Sequence, residues 1–339
     1  MSMGRKLLRR GAFALFSTYL VISIAFGVIA LTNDPNVGSV AYGAMTTGQD
    51  VDKAIAAYRE ARNLNDPLVQ RWAKWLVGIS TGDWGISYST GQPVLDVIGD
   101  RAGMTLAYLV PSILLAAVFG ISFGVFAAFR QHTFSDRLVT TVAYLGLGVP
   151  NFWLAYILVD AIVNQHNIIG FPYPIESSQL FHLGFTLHWG VLPGPELTTT
   201  QQYYLLPIAT LTTALFAGQL RYARAESLEY IDTEFVKIAR AKGAGPIRVA
   251  RHVIRNAAIP LVSLFFTDML SVLVLSVFVI ESVFNIDGLA ALMLQAVSAR
   301  DMPLILGVTM VVAFVGIVGN FVQDIAYTVL DPRVGNDAE

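Results

Sequence analysis

The 339-residue sequence contains no cysteine and few charged residues. Without cysteine the chain can form neither disulfides nor thiolate metal sites. Cysteine usage therefore gives no indication of whether the protein faces an oxidising or a reducing compartment. Asp, Glu, Lys and Arg make up 14% of the residues, whereas soluble domains average about 25%. Together with a hydrophobic fraction of 55%, this scarcity of charge predicts a polytopic membrane protein. The net charge of −2 gives no indication of a nucleic-acid partner.

Signatures of catalysis are also missing. No Gly-Lys dipeptide occurs, which excludes a Walker A phosphate loop, so ATP-driven transport would need a separate ATPase chain. There is no HExxH zinc motif, and the five histidines are scattered. The stretch GISFG (120–124) matches the esterase pattern GxSxG, but it lies in an apolar run. There Gly120 and Gly124 are more typical of close helix packing than Ser122 is of a nucleophile. We therefore predict no enzymatic activity, no cofactor and no metal in this chain, with an intramembrane hydrolase as a remote alternative.

Six apolar runs predict six transmembrane helices, because a helix needs about 20 residues to cross a hydrocarbon core about 30 Å thick. The first follows a basic segment and is longer than the apolar core of a signal peptide, so we interpret it as an uncleaved helix. The fourth is the shortest, and we expect its helix to continue into the basic segment that follows. The runs are 11–31, 104–129, 138–163, 205–220, 257–280 and 303–327.

The distribution of Lys and Arg predicts the orientation of these helices. With the N-terminus inside, the inner segments hold 15 of the 22 basic residues, eight of them in 221–255. The outer segment 164–203 holds none. By the positive-inside rule both termini are cytoplasmic, and the chain is a multi-pass protein of the cell membrane. The expected divisions are a basic segment with the first helix (1–31), an extracytoplasmic cap (32–101), a five-helix core (102–327) with a cytoplasmic loop (221–256), and a cytoplasmic tail (328–339).

Within the cap, the stretch DPLVQRWAKWL predicts a helix with Pro67 at its first position. Leu68, Trp72, Trp75 and Leu76 fall on one face of that helix. Two tryptophans on such a face suit the membrane interface. Ordinary packing onto the membrane helices explains them equally well, so both interpretations stay open.

The densest basic segment is ARAKGAGPIRVARHVIRN (239–256). We expect a helix to stop at Gly243, since glycine adopts the left-handed conformation at little cost. Pro246 suits the first position of a second helix, on which Arg248, Arg251 and Arg255 share one face. The sequence thus predicts two helices joined by a glycine elbow. Such an elbow suits docking to another protein, while attraction to anionic lipid headgroups is the competing interpretation.

The same segment carries a resemblance to a known family. ARAKG followed by RHVIRNAAIP resembles the cytoplasmic EAA loop of ABC importer permeases, in the form of the dipeptide/oligopeptide/nickel branch. Nearly the whole chain is similar to that branch in the same order, and the long segment after the first helix resembles the first (B-type) of its two permeases. The matching stretches are 66–98, 145–158 (LGLGVPNFWLAYIL), 279–294 (VIESVFNIDGLAALML), 299–307 and 324–333.

This sequence departs from the family pattern at three places, one of which, the greater distance of Pro260 from Gly243 than in the general motif, is shared with the branch. Lys237-Ile238-Ala239 stands where the general motif has Glu-Ala-Ala, and Ile286-Asp287-Gly288-Leu289-Ala290 replaces the usual Trp-Pro-Gly-Leu-Gly turn near the outer gate.

The resemblance implies an all-α, type I ABC importer permease with six transmembrane helices and an extracytoplasmic insertion. In such systems two different permeases pair to form the pathway, and a binding protein delivers the substrate from outside. Two ATPase subunits, which bind ATP and magnesium, dock on the EAA loops. The expected substrates are dipeptides or oligopeptides, with nickel chelates and oligosaccharides as alternatives. The residues matched to the coupling loop are Ala239, Arg240, Ala241, Lys242 and Gly243.

Two carboxylates lie inside predicted membrane helices. Asp268 is near the middle of the fifth, where an ionisable group is costly and faces a cavity or a partner. It either lines the translocation pathway or is a structural hydrogen-bond partner. A proton-coupled secondary transporter that uses Asp268 is therefore the alternative function. Asp160 is nearer the end of the third helix and is expected to reach the interface.

Overall fold

The structure is a computed structural model that describes residues 3–32, 34, 36–159, 199–271 and 276–330. In this part of the chain the secondary structure is helical, apart from one isolated bridge between Ile86 and Pro93. The predicted all-α class is thereby confirmed. The helices are α1 (Met3–Leu31), α2 (Asn36–Thr47), α3 (Val51–Ala61), α4 (Leu68–Ser80), α5 (Val94–Phe129), α6 (Phe134–Gly148), α7 (Asn151–Val159), α8 (Thr199–Ile231), α9 (Glu234–Ala241), α10 (Pro246–Ser271), α11 (Val277–Phe284), α12 (Leu289–Ser298) and α13 (Met302–Leu330).

Within the residues that the structure describes, three helical stretches are long and apolar enough to cross a membrane, and they correspond to the first, second and sixth predicted spans. The predicted third span, 138–163, is wrong as a single helix, because α6 and α7 meet at an angle of 98°. Pro150 explains the break: proline disfavours the helical conformation in the residue before it, and Val149 is extended. Asp160 lies outside the described residues.

The fourth predicted span falls on α8. The fifth, 257–280, falls on α10 as far as Ser271 and reaches the start of α11, with 272–275 outside the described residues. Helix α8 continues to Ile231, as expected from the sequence. After α10, the short helices α11 and α12 are bent by 84° and together are apolar enough for a broken span or a re-entrant loop. The count of six transmembrane helices stays a prediction.

The elements form two compact units. One comprises Gly103–Ala291 and the chain from Gly319 onward, and its core includes Tyr108, Leu211 and Ile280. The other comprises Gly4–Ala102 and Leu292–Val318. The four sequence-based divisions of the chain stay a prediction.

In the second unit, α4 packs against α1. The indole Nε1 of Trp72 donates a hydrogen bond of 3.0 Å to Ser23 Oγ, and the Trp75 ring stacks on Phe26 at 4.8 Å. The packing interpretation of these two tryptophans is therefore correct. Pro67 lies one position earlier than predicted, at the N-cap of α4, where its carbonyl accepts hydrogen bonds from the backbone N–H groups of Gln70 and Arg71.

The two glycines of GISFG bring α5 against α8. A Cβ atom added at Gly120 would lie 2.5 Å from Gln219 Cβ, and one at Gly124 would lie 2.6 Å from the Leu220 carbonyl oxygen. Only glycine permits this approach, so the helix-packing interpretation is confirmed. The contact fixes α8, which leads directly into the basic segment.

Candidate functional site

The basic segment folds as two helices joined by a four-residue turn. Helix α9 ends in a Schellman motif: the Ala244 N–H donates to the Ala239 carbonyl at 3.0 Å, and the Gly243 N–H donates to the Arg240 carbonyl at 2.9 Å. Gly243 has φ of +79°, as predicted, a conformation that glycine adopts far more cheaply than a residue with a Cβ atom. Helix α10 then begins at Pro246, whose missing N–H would have had no partner in the first turn.

An apolar cluster packs the two helices of the elbow against the rest of the unit. Val236 of α9 and Val249 and Val253 of α10 are buried against Ala128 and Ile231. These positions recur at helical spacing, so each helix turns one apolar stripe inward. The opposite faces carry the charges and project away from the unit.

The outer surface of the elbow mixes cations with aliphatic side chains. Its Lys and Arg side chains are exposed, and apart from an exposed pair between Lys237 and Glu234, none forms an ion pair within the described part of the chain. Ile238 and Ile247 are 53% and 81% exposed among them. Exposed aliphatic residues on a rigid turn are a feature of protein-docking surfaces and are not needed for attraction to lipid headgroups. The unpaired cations are Arg240, Lys242, Arg248, Arg251 and Arg255.

An ion pair between a buried carboxylate and a half-buried guanidinium holds α8 two turns before its C-terminal end. Arg224 donates from Nε to Asp136 Oδ1 at 2.7 Å and from Nη2 to Asp136 Oδ2 at 2.9 Å. Asp136 is 4% exposed and also accepts from the His132 N–H at 3.0 Å and the Thr140 hydroxyl at 3.3 Å. The paired guanidinium and the extra donors offset the cost of burying this carboxylate. The turn between α5 and α6 is thereby fixed to α8.

A second buried carboxylate, Glu281, has no cationic partner among the described residues. It accepts hydrogen bonds from the Thr105 hydroxyl at 2.6 Å, the Tyr108 hydroxyl at 3.1 Å and the Ala291 N–H at 2.8 Å. These donors come from α5 and α12, so the carboxylate joins both to α11. Gly288 lies against Glu281 and Thr105 so closely that a side chain there would collide with them.

The predicted coupling residues are contiguous in the structure. Ala239, Arg240 and Ala241 form the last turn of α9, and Lys242 and Gly243 are the first two of the four residues that connect it to α10.

Asp268, the predicted pathway residue, lies elsewhere. It follows Pro246 by 22 positions in α10, which at 1.5 Å per residue places it about 33 Å along the helix from the elbow. Its side chain lies outside those described.

Sequence reasoning missed the Asp136–Arg224 pair and the Glu281 cluster. A local signal existed for Asp136, because Thr133, three residues earlier, caps α6 by accepting the Asp136 N–H at 3.4 Å. The partners lie 88 and 176 residues apart in sequence, so no local pattern could have paired them.

Comparison with known proteins adds the family context. The model of the family "Binding-protein-dependent transport system inner membrane component" matches residues 120–336. The chain is 31% identical to the probable peptide ABC transporter permease protein y4tP of Sinorhizobium fredii, over 84% of this chain and 85% of that protein. It is 32% identical to the oligopeptide transport system permease protein AppB of Bacillus subtilis, over 81% and 83%. It is 30% identical to the metal-staphylopine import system permease protein CntB of Staphylococcus aureus, over 94% and 95%.

Proposed function

The chain belongs to the family of binding-protein-dependent transport system inner membrane components, and we propose that it carries peptides. As a permease subunit of an ABC importer it is a transport component. It pairs with a second, different permease, and each contributes half of the translocation pathway. An extracytoplasmic binding protein delivers the peptide, and two separate ATPase subunits supply the energy from ATP and magnesium.

One observation supports the coupling role of 239–243. The elbow has a fixed backbone, it is exposed, and its cations at 240, 242, 248, 251 and 255 have no ion-pair partner among the described residues. Its Schellman turn and the proline that starts α10 fix the backbone, and the apolar cluster fixes both helices. Its cations are left available for a partner, together with Ile238 and Ile247. A surface of this kind transmits a displacement, because it is joined without a flexible linker to α10, which runs on into the predicted membrane core.

The elbow faces the cytoplasm in this proposal, with both termini on the same side. The excess of Lys and Arg in the predicted inner segments supports that orientation. The chain is accordingly a multi-pass protein of the cell membrane, with six transmembrane helices and the insertion after α1 outside.

Reconstitution tests the proposal directly. Proteoliposomes holding this chain, the second permease, both ATPases and the binding protein should take up labelled dipeptide or oligopeptide only when ATP is present. Uptake by this chain alone under a proton gradient would overturn the proposal in favour of a secondary transporter that depends on Asp268.

The same vesicles distinguish the substrate. Peptide, a nickel chelate and an oligosaccharide are each offered with the system's own binding protein. The relative CntB is named for metal-staphylopine import, so uptake of the chelate without uptake of peptide would keep the importer role and replace the substrate.

A further inference from the structure

The second unit contains a cavity of about 840 Å³, a size typical of small-molecule sites. Its apolar wall comes from the end of α1, through Phe26 and Ile29, and from the start of α13, through Met302 and Leu306. Helices α3 and α4 of the insertion, with the turn between them, contribute most of the polar lining.

Four cationic side chains line this cavity: Arg59, Arg62, Arg71 and Lys74. They are four of the six basic residues in the segment 32–102. Only two carboxylates, Asp34 and Asp83, share the lining. The cavity therefore has an excess of positive charge, a property of sites for anions.

Hydrogen bonds and ring contacts hold Arg62 in place. Its guanidinium lies 3.3 Å from the ring centre of Tyr88 and 4.5 Å from that of Tyr58. It donates to the Tyr58 hydroxyl at 2.8 Å, and that hydroxyl donates to Asp34 at 2.9 Å. Burial, followed by the nearby Asp34, raises the pKa of Tyr58 above its ordinary value, so the hydroxyl stays a neutral donor.

Arg59 and Arg71 differ from Arg62, because neither side chain forms an ion pair or hydrogen bond with another described residue. Arg71 is also half-buried. Lys74 is already bound to Asp66 at 2.7 Å. Two guanidinium groups at the cavity are thus available for an anion, and guanidinium binds phosphate oxygens through two parallel hydrogen bonds.

The ends of the two membrane helices indicate where the cavity lies across the membrane. The apolar run of α1 ends at Leu31, and α13 begins at Met302. The ends of spanning helices lie at the level of the lipid headgroups. Trp84 also lines the cavity, and tryptophan is enriched at that level.

We propose that this cavity binds the phosphate headgroup of an anionic phospholipid. Arg59 and Arg71 bind the phosphate oxygens, and Arg62 adds positive charge from a fixed position. The first methylene groups of the lipid's acyl chains, those next to the glycerol, pack on Phe26 and Leu306.

The test uses the assembled transporter in detergent and native mass spectrometry. Its probes are phosphatidylglycerol and phosphatidylcholine with identical acyl chains. We expect wild type to prefer phosphatidylglycerol at least tenfold. The variant Arg59→Gln/Arg71→Gln should bind it roughly ten- to thirty-fold more weakly, given the usual contribution of each basic residue near a lipid surface. The matched control is Lys53→Gln, a basic residue of the same insertion that does not line the cavity, and it should change binding less than twofold.

Each other outcome overturns the proposal. An equal affinity for the two lipids, or equal weakening in the control, would mean general electrostatic attraction. Displacement of the lipid by low millimolar inorganic phosphate would assign the site to a soluble anion, and displacement by a peptide with a free carboxyl terminus would assign it to substrate. If the double variant fails to assemble, Arg59→Gln alone should still lower phosphatidylglycerol binding about fivefold, since Arg59 is exposed and its side chain has no partner among the described residues.

Discussion

The elbow and the cavity are both basic, yet they present their charge in opposite ways. In the elbow the cations stand on a convex surface above an apolar cluster, with exposed isoleucines between them. In the cavity they surround a concave space, and aromatic rings fix one of them. A convex mixed surface fits the face of another protein, whereas a concave one can enclose a small anion. The difference in surface shape and in neighbouring side chains therefore supports two different proposed functions for the same types of residue.

The largest expected effect is at the turn of the elbow. Gly243→Val should lower ATP-driven uptake at least tenfold, since a β-branched residue at φ of +79° costs roughly 1–3 kcal/mol and the turn would change shape. Gly243→Asn is the matched control, because asparagine tolerates this conformation, and it should keep most of the uptake. Both variants are measured in proteoliposomes after membrane insertion is verified. Normal uptake by the valine variant would remove the coupling role from this turn.

The second largest expected effect is on stability. Arg224 forms an ion pair with Asp136, whereas the elbow arginines form no ion pair within the described part of the chain. Asp136→Asn breaks a buried pair and should destabilise the protein by about 3 kcal/mol, or about 5–10 °C in thermal unfolding of the purified complex. Arg251→Gln, on the exposed face of α10, should leave the melting temperature unchanged. Equal melting temperatures for both variants would show that Asp136 does not brace α8.

A smaller effect should separate the two basic regions. Arg240→Gln/Lys242→Gln should reduce ATPase co-purification a few-fold at low salt, and the difference from wild type should shrink as salt is raised, because exposed charges contribute modestly and are screened. The cavity variant Arg59→Gln/Arg71→Gln should leave ATPase co-purification unchanged. The elbow variant should in turn leave bound phosphatidylglycerol unchanged. If either variant affected both measurements, the distinction between the two regions would fail.

The smallest expected effect is a pH dependence beside the cavity. Asp301 accepts hydrogen bonds from the Ser87 hydroxyl at 2.6 Å and the Ser89 N–H at 2.9 Å, on either side of Tyr88. Burial alone would raise the pKa of Asp301, but these hydrogen bonds outweigh it and hold the pKa below its ordinary value. A carboxyl with a depressed folded-state pKa stabilises fully above its unfolded pKa of about 3.9 and loses that contribution as pH falls through the folded value.

Hydrogen exchange of the Ser89 amide, corrected for intrinsic rates, checks this pH dependence. Its protection should be constant from pH 7 to about 5 and should fall as the pH approaches 3. In Asp301→Asn it should be low throughout. Protection that persists in the asparagine variant would contradict the assignment.

Local features of the fold were predictable, and long-range ones were not. The stop at Gly243 and the start at Pro246 follow from the conformational preferences of these two residues, so the sequence was sufficient. The bend after α6 was missed because hydropathy alone marked one run, although Pro150 signalled a break. Helix α5 begins at Val94, ten residues before the predicted span, since a helix continues through polar residues that hydropathy excludes.

The candidate site likewise has features that the local sequence predicts and features that it does not. Local spacing placed the elbow and its basic face. The support of α8 by Asp136 and the positive cavity around Arg59 and Arg71 depend on residues brought together by tertiary packing, which single-sequence patterns do not record.

The Glu281 cluster has a consequence for how the chain is made. Helices α11 and α12 have 8 and 10 residues, about 12 and 15 Å of helix, so neither crosses a hydrocarbon core about 30 Å thick by itself. Until Thr105 and Tyr108 are in reach, Glu281 lacks two of its hydrogen-bond donors. Synthesis from the N-terminus places α5 in the membrane first. Helix α5 is thus already in place when α11 and α12 leave the ribosome some 170 residues later, and it supplies the hydrogen-bond donors that position them.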